Sequence, residues 1–240
     1  MKDVPFIKFA PNFITLVSLC CGISALKFAF QENWNSAVLM ILLAAFFDFF
    51  DGWLARKLKK SSQFGAELDS LSDFISFGVS PAVLLYLWSI QEFERVGWVF
   101  CLFYIICAAL RLARFNIENL NSPSTTFYGI PSPAAAGLLL IPFFFNFIFP
   151  ELFREYYTII SIFLLCYSGV MMISRVPTLS LKSLKFSNSN SSYFVIFIAL
   201  LIIFLISFFW QTILAVSVFY FLFSLVGMLK YLFALRKSSK

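Results

Sequence analysis

Long apolar runs separated by short polar turns dominate the pattern of hydrophobic and polar positions along this chain. Each run holds about 20 residues, the length that an α-helix needs to cross the hydrocarbon core of a bilayer. The pattern predicts eight membrane-spanning helices, over residues 11–30, 36–57, 68–90, 96–116, 130–149, 156–175, 193–209 and 212–235. The predicted fold class is therefore all-α, a polytopic membrane bundle of about eight transmembrane helices.

The ten residues before the first predicted span mix charged and apolar side chains, which is typical of a short interfacial segment. Pro11 is expected to start the first span, because a proline at the first helical position gives up an N–H that has no helical partner. The predicted organisation is a juxtamembrane segment at 1–10, a core at 11–182 that carries the motifs below, and a C-terminal pair of spans at 183–240.

Composition narrows the class of protein. Only 12% of the residues are charged, about half the fraction of an ordinary soluble domain, which excludes a soluble protein. The five cysteines lie inside apolar runs and have neither the spacing of a metal site nor that of a disulfide framework. The sequence has no histidine, so any proton transfer has to use another residue type.

Charge in the turns predicts the orientation. Acidic residues prevail in the turns on one side of the predicted bundle, and basic residues collect on the other side, which marks that side as cytoplasmic. Both termini are therefore expected inside the cell. The net charge of +6 is explained by this topology and by anionic lipid headgroups, and it does not call for nucleic acid as a partner.

Four acids inside the predicted spans are the informative exception. Asp48 and Asp51 lie near the cytoplasmic end of the second span, and Asp69 and Asp73 near the start of the third. Members of each pair are one helical turn apart and share a face, and the short connection makes the two spans antiparallel neighbours. We therefore expect the carboxylates to converge near the cytoplasmic interface. Clustered carboxylates suit Mg²⁺ or Mn²⁺.

Small residues and an arginine accompany the acids. Gly52, Ala55 and Gly65 either allow close packing of the spans or leave room for a ligand against the backbone, and both interpretations stand at this point. Arg56, one turn after Gly52, offers a guanidinium to a phosphate. Acids in a span also mark ion paths, so an ion-coupled transporter is a remote alternative; it predicts acids near the midplane rather than at one end.

The four acids and their small and basic neighbours resemble the signature of the CDP-alcohol phosphotransferase family. In this chain the signature reads Asp48-x2-Asp51-Gly52-x2-Ala55-Arg56-x8-Gly65-x3-Asp69-x3-Asp73. The resemblance implies a six-helix membrane core, usually in a homodimer, that transfers a phosphatidyl or related group from a CDP-linked donor to an alcohol. It also implies two divalent cations, Mg²⁺ or Mn²⁺. By position, Asp48 and Asp69 resemble ligands of both ions and Asp51 a ligand of one. Asp73 resembles a general base that also touches the second ion.

Further stretches resemble one branch of that family, the membrane-embedded phosphatidylserine synthases of bacteria. They are PNFIT at 11–15, RLARFN at 111–116, FYGIPSPAAAG at 127–137 and SRVPTLSLK at 174–182. This resemblance implies CDP-diacylglycerol and L-serine as substrates, membrane lipids as surroundings, and a site on the cytoplasmic side of the bacterial cytoplasmic membrane. Another enzyme of the family, making phosphatidylglycerophosphate or an inositol lipid phosphate, is the alternative.

Candidate ligand-binding residues follow from these motifs. The expected CDP-diacylglycerol contacts are Asn12, Thr15, Gly52, Arg56, Ser62 and Gly65. For Asn12 and Thr15, helix capping and hydrogen bonding between helices are equally open. The expected acceptor or phosphate contacts are Arg111, Arg114, Asn116 and Lys182. For the two arginines and Lys182, the alternative is that they are cytoplasmic anchoring charges.

Overall fold

The structure, a computed structural model, describes residues 5–58, 62–121, 129–152, 154–174, 176, 199–200 and 203–238. Regular structure in these ranges is helical throughout, which confirms the all-α prediction. The long helices are α1 Pro5–Phe30, α2 Trp34–Leu58, α3 Gln63–Phe93, α4 Glu94–Asn121, α5 Ser132–Ile148, α6 Tyr157–Ile173 and α7 Phe209–Ser238.

Six of the described helices are long and apolar enough to cross a membrane, which agrees with a polytopic bundle. They are the segments Ala10–Phe30, Trp34–Leu58, Gln63–Phe93, Arg95–Ile117, Arg154–Ile173 and Phe209–Tyr231. The predicted span at 130–149 corresponds to α5, which is shorter and is divided at Leu140 into the pieces Ser132–Leu139 and Ile141–Ile148. Part of the predicted span at 193–209, residues 193–198 and 201–202, lies outside the described residues, so the total of eight stays a prediction.

The candidate span Ala10–Phe30 agrees with the predicted span at 11–30, but the expected helix start at Pro11 is wrong. Helix α1 begins at Pro5 and runs through Pro11 without interruption. A proline inside a helix removes one hydrogen bond to the carbonyl of the residue four positions earlier. Pro11 is the seventh residue of α1, so the lost bond is the one to the carbonyl of Ile7, and α1 continues past this single missing bond. The helix therefore continues upstream of Pro11 into the segment that was expected to be separate.

Three serines on α3 tie this helix to α1. Each donates a hydrogen bond from its hydroxyl to a backbone carbonyl of α1. The bonds join Ser72 to Thr15 O (3.3 Å), Ser76 to Ser18 O (3.4 Å) and Ser80 to Gly22 O (2.8 Å). Gly22 permits this approach, because a Cβ there would lie 2.8 Å from the Cα of Ser76. We call this row of bonds the serine ladder, and it fixes the register of α1 against α3 next to the acids.

The entry to α5 is fixed against the end of α6. Gly129 has φ +73°, and its N–H donates to Val176 O at 3.0 Å. A Cβ at this position would meet the carbonyl oxygen of Met172 at 2.8 Å, so only glycine fits here. The next residue, Ile130, donates its N–H to Met171 O at 3.3 Å. These contacts set the height at which α5 starts, with Ser132 fully buried at its first position.

Candidate active site

Three of the four predicted acids form one cluster. Asp48 and Asp51 come from the last turns of α2, and Asp69 comes from the first part of α3. One carboxylate oxygen from each residue lies within 4.8 Å of those of the other two. Ser62 holds the start of α3 in place, because its side chain accepts a hydrogen bond from Gly65 N at 3.0 Å and so caps the helix. The capped end of α3 thereby faces the end of α2.

Asp73 lies one turn further along α3 and differs from the other acids in its contacts. Its carboxyl approaches that of Asp48 to within hydrogen-bonding range, and it interacts electrostatically with Arg111. Its Oδ1 atom is buried and has no hydrogen-bond partner among the described residues. A buried carboxylate oxygen without a partner is costly unless a ligand or ion completes it. Asp73 therefore borders the cluster with one oxygen left available.

Thr15 orients Asp51. The Thr15 hydroxyl lies 2.5 Å from Asp51 Oδ2 and 3.1 Å from the carbonyl oxygen of Pro11. A hydroxyl has one hydrogen to donate, and the shorter contact goes to the carboxylate, which is the stronger acceptor. Asp51 itself is 3% exposed, and this bond joins it to α1. Of the interpretations left open for Thr15, hydrogen bonding between helices is thus observed.

A cleft of about 180 Å³ opens beside the cluster, between α1, α2 and α3. Its lining consists of Pro11, Asn12, Thr15, Asp51, Gly52, Ala55, Ser62, Gly65, Ala66 and Asp69. Every predicted CDP-diacylglycerol contact except Arg56 belongs to this lining. Arg56 lies at its edge, with Nη1 3.5 Å from the position that a Cβ on Gly52 would occupy.

Gly65 keeps this cleft open. A Cβ at Gly65 would meet Asn12 Oδ1 at 2.8 Å and Ser62 Oγ at 3.0 Å, two atoms that also border the cleft. A larger residue would therefore displace the Asn12 and Ser62 side chains at the border of the cleft. Gly65 therefore allows close packing of α3 against Asn12 of α1, and it also lines the cleft, so both interpretations apply to it.

The donor set fits a divalent metal ion. Carboxylate oxygens are the ligands that Mg²⁺ and Mn²⁺ prefer. Ligands on opposite sides of a Mg²⁺ ion are about 4.2 Å apart, since each bond is about 2.1 Å. The cluster of Asp48, Asp51 and Asp69 holds its oxygens within that order of separation. The unpartnered Oδ1 of Asp73 adds a further donor at the border of the same cluster.

The predicted acceptor contacts separate into two groups. Arg111 points into the bundle, where its Nη1 donates to Ser132 Oγ at 2.6 Å and its charge interacts with Asp73. Arg114 donates to Ile173 O at 2.9 Å and so satisfies a carbonyl at the end of α6. The structure therefore brings Arg111, and not Arg114, to the acids.

Asn116 is engaged with α3. Its side-chain carbonyl accepts from Ser70 Oγ at 3.0 Å, and its Nδ2 lies 3.4 Å from Glu67 Oε2. It links α4 to α3 on either side of Asp69, and it is not one of the residues that line the cleft. Lys182 lies outside the described residues.

Several polar residues at the site were not predicted from the sequence. Ser70, Ser72 and Ser132 lie in apolar or signature stretches, and serine is common between membrane helices for packing alone. Only the distance to a partner on another helix distinguishes a site residue from a packing residue. The sequence did contain one signal for Ser72: it is followed by Ser76 and Ser80 at intervals of four residues, which places the three serines on one helix face.

Comparison with known protein families defines the class. The CDP-alcohol phosphatidyltransferase family matches residues 8–174 of this chain. This range includes the whole acidic cluster and the cleft. The chain therefore belongs to the CDP-alcohol phosphatidyltransferase family, and its six long apolar helices make it an integral membrane protein.

Individual relatives carry one shared name, CDP-diacylglycerol–serine O-phosphatidyltransferase. The Mycobacterium leprae protein is 35% identical over 211 residues, which cover 82% of this chain and 66% of that protein. The Bacillus subtilis protein is 42% identical over 134 residues, 56% of this chain and 75% of that protein. A Helicobacter pylori protein is 33% identical over 229 residues, 95% and 92% of the two chains. The matches span only about half to two thirds of the length of the mycobacterial relatives.

Proposed function

We propose that this protein transfers the phosphatidyl group from CDP-diacylglycerol to the hydroxyl of L-serine, giving phosphatidylserine and CMP. The observation that carries the proposal is the carboxylate cluster of Asp48, Asp51 and Asp69 beside the cleft. Serine as the acceptor is supported by the shared name of the relatives, including the H. pylori protein that aligns over 92% of its length.

The transfer is a direct in-line displacement. The serine hydroxyl oxygen attacks the phosphorus of the phosphatidyl group and forms a new P–O bond. The bond between that phosphorus and the bridging oxygen of the nucleotide breaks, and CMP leaves with the electron pair. Asp73 accepts the hydroxyl proton, a role that suits a carboxylate with an available buried oxygen next to the cluster.

Asp48, Asp51, Asp69 and Asp73 would hold two divalent cations, Mg²⁺ or Mn²⁺. When bound, such ions neutralise the charge of the pyrophosphate and of the leaving nucleotide. The hydrogen bond from Thr15 keeps the Asp51 carboxylate turned toward the cluster. The serine ladder holds α1, and with it Thr15, at a fixed height relative to Asp69 and Asp73.

The cleft is the proposed site of the CDP moiety. Asn12 and Ser62 offer polar side chains on its walls, and Gly52 and Gly65 allow close approach to the backbone. Arg56 at the edge supplies a positive charge for a phosphate. The lipid chains would remain in the bilayer, consistent with exposed apolar residues such as Phe13 and Phe64 on the same helices.

The remaining predictions concern the setting. Residues 11–182 would form the catalytic core, with 1–10 at the membrane surface and 183–240 as a C-terminal pair of spans. The active site and both termini would lie on the cytoplasmic side of a bacterial cytoplasmic membrane. Two copies of the chain would associate as a homodimer.

A substrate panel tests the proposal. Purified protein in detergent is given CDP-diacylglycerol and Mg²⁺ or Mn²⁺ with L-serine, glycerol 3-phosphate or inositol phosphate in turn, and the lipid product and CMP are measured. We expect phosphatidylserine and CMP in equal amounts with serine only, and no product after EDTA treatment. Product from glycerol 3-phosphate alone would identify the alternative enzyme of the family. Undiminished activity after exhaustive chelation would contradict the metal-ion role of the acids.

A further inference from the structure

The C-terminal helix α7 follows the part of the chain that matches the family, and it packs against α5 and α6. On one side it contacts both pieces of α5, including the piece Ser132–Leu139 that begins beside Arg111. On the other side the hydroxyls of Tyr167 and Ser224 form a buried hydrogen bond of 2.6 Å that joins α6 to α7. The ring of Tyr167 also meets that of Phe221 edge-on, with centroids 5.1 Å apart. These contacts fix the register of α7 against the bundle.

Tyr220 is a polar residue on the inward face of α7. It is half-buried and packs on the buried apolar cluster of the bundle. Its neighbours in the sequence are Phe219 and Phe221, and a phenylalanine at 220 would give nearly the same packing. A tyrosine hydroxyl inside an apolar bundle needs a polar partner, however. The hydroxyl interacts electrostatically with Tyr167 on α6 and with the Arg111 guanidinium on α4.

Arg111 joins this helix to the acids. Its Nη1 donates to Ser132 Oγ at 2.6 Å, and its Nε has no hydrogen-bond partner among the described residues. A guanidinium is a rigid plane with five N–H donors, so a single hydrogen bond leaves it free to turn about that bond. The guanidinium also interacts electrostatically with Asp73, Tyr104 and Tyr220. These three groups come from α3, α4 and α7, so α7 contributes to the surroundings that set the orientation of Arg111.

We infer that Tyr220 is a positioning residue whose hydroxyl holds the Arg111 guanidinium beside Asp73, which makes α7 part of the catalytic unit. The inference rests on the proposed function, because it concerns the proposed role of Asp73 as the base. In the low dielectric of the bundle a guanidinium and a carboxylate attract each other strongly, so the place of the guanidinium decides where the carboxylate points. Without the Tyr220 hydroxyl the guanidinium can turn, and the carboxylate then leaves its place beside the acceptor hydroxyl.

Tyr220→Phe removes only the hydroxyl and tests the inference. We expect kcat for phosphatidylserine synthesis to fall about 10-fold at saturating serine. The KM for CDP-diacylglycerol should change by less than about twofold, because the lining of the donor cleft comes from α1, α2 and α3. Tyr231→Phe is the matched control: it makes the same change on the same face of α7, about 16 Å further along the helix axis. The control should keep the wild-type kcat, and the two variants should have similar melting temperatures.

A double-mutant cycle with Arg111→Lys distinguishes positioning from a merely structural role. Lysine keeps the charge but loses the planar donor fork that the hydroxyl is inferred to hold. If Tyr220 acts through Arg111, then adding Tyr220→Phe to Arg111→Lys should lower kcat by less than about threefold further. A structural role predicts the same 10-fold loss in both backgrounds, and that result overturns the inference. An unchanged kcat in Tyr220→Phe alone overturns it as well.

Ser132→Ala replaces Arg111→Lys in the cycle if the lysine variant is inactive or unfolded. It removes the other partner of the guanidinium, so Tyr220→Phe should then lower kcat by clearly more than 10-fold, and an unchanged 10-fold loss overturns the inference. Failure of the wild-type protein to use serine overturns the proposed function. The same cycle, followed by CMP release with the acceptor that the protein does use, then decides the role of Tyr220 separately.

Discussion

Asp73 is the acid whose surroundings differ most from those of the others. It has an oxygen without a partner and an arginine nearby, whereas Asp51 is held by a threonine hydroxyl. A ligand of a metal ion and a general base have different requirements, since the base has to contact the acceptor during proton transfer. The contacts of Asp73 with both the cluster and Arg111 suit the second role.

The Asp73→Asn variant separates these roles. It keeps the size of the side chain and one oxygen, but it cannot accept a proton. We expect kcat to fall by about 10²–10⁴-fold, with binding of CDP-diacylglycerol nearly unchanged. Rate measurements at saturating serine, combined with a binding measurement for CDP-diacylglycerol, check this expectation. Weak binding together with partial rescue by excess Mn²⁺ would assign Asp73 to metal binding instead.

Gly65→Ala tests the cleft. The new Cβ would meet the ends of the Asn12 and Ser62 side chains, which can move, so the fold should survive and the cleft should narrow. We expect the KM for CDP-diacylglycerol to rise about 10-fold, equivalent to about 1.4 kcal/mol of binding. Gly137→Ala is the control, because nothing lies within 4 Å of a Cβ at that position. Equal KM values in the two variants would contradict the assignment of this cleft to the donor.

Among the helices, α3 carries the features that position the acids. Its segment Phe74–Val79 is π-helical and follows directly after Asp73. A π-helical stretch has more residues in each turn than the 3.6 of an α-helix. Serines spaced by four residues therefore remain on one face over more turns than they would in a regular α-helix. This geometry explains how Ser72, Ser76 and Ser80 all reach α1.

Gly22→Ala tests the contact between α1 and α3. The new Cβ would press against the backbone of Ser76, which cannot move without the whole helix, so α1 and α3 have to separate. We expect a loss of about 1–3 kcal/mol of stability and a lower kcat, because Thr15 moves away from its place beside Asp51. Thermal unfolding and a rate assay measure both effects. In the control Gly227→Ala, a Cβ meets nothing within 4 Å, so kcat should stay unchanged and stability should rise by about 0.5–1 kcal/mol, as for alanine in place of glycine inside a helix.

For the whole molecule, the distribution of charge in the turns predicts the orientation in the membrane. Gln63 at the start of α3 and Glu92 near its end are both exposed, and they lie at opposite ends of one candidate span. The basic turns predict that Gln63 is cytoplasmic and Glu92 external.

Cysteine labelling checks this topology. Gln63→Cys and Glu92→Cys are introduced separately into a chain whose five native cysteines have been replaced, and a membrane-impermeant thiol reagent is added to intact cells. We expect labelling of position 92 only, and of position 63 after the membrane is opened. The reverse pattern would contradict the orientation, and with it a cytoplasmic active site.

Much of this arrangement is local in origin and was therefore predictable. The length of the apolar runs gives the helices, because a segment in lipid has to satisfy its own backbone hydrogen bonds. The spacing of Asp48 and Asp51, and of Asp69 and Asp73, puts each pair on one helix face. A short connection then makes the two faces meet, as the cluster of Asp48, Asp51 and Asp69 shows.

Other features depend on which face of each helix turns inward, and no local pattern contains that information. Arg111 and Arg114 are one turn apart on α4. Arg111 interacts with Asp73, whereas Arg114 donates to the carbonyl of Ile173 at the end of α6. Asn116 proved to link α4 to α3 through Ser70 and Glu67. The register between two helices is determined by many contacts between segments that are distant in the sequence. Spacing along the chain therefore determines which residues share a face, and the packing of the helices determines what each face meets.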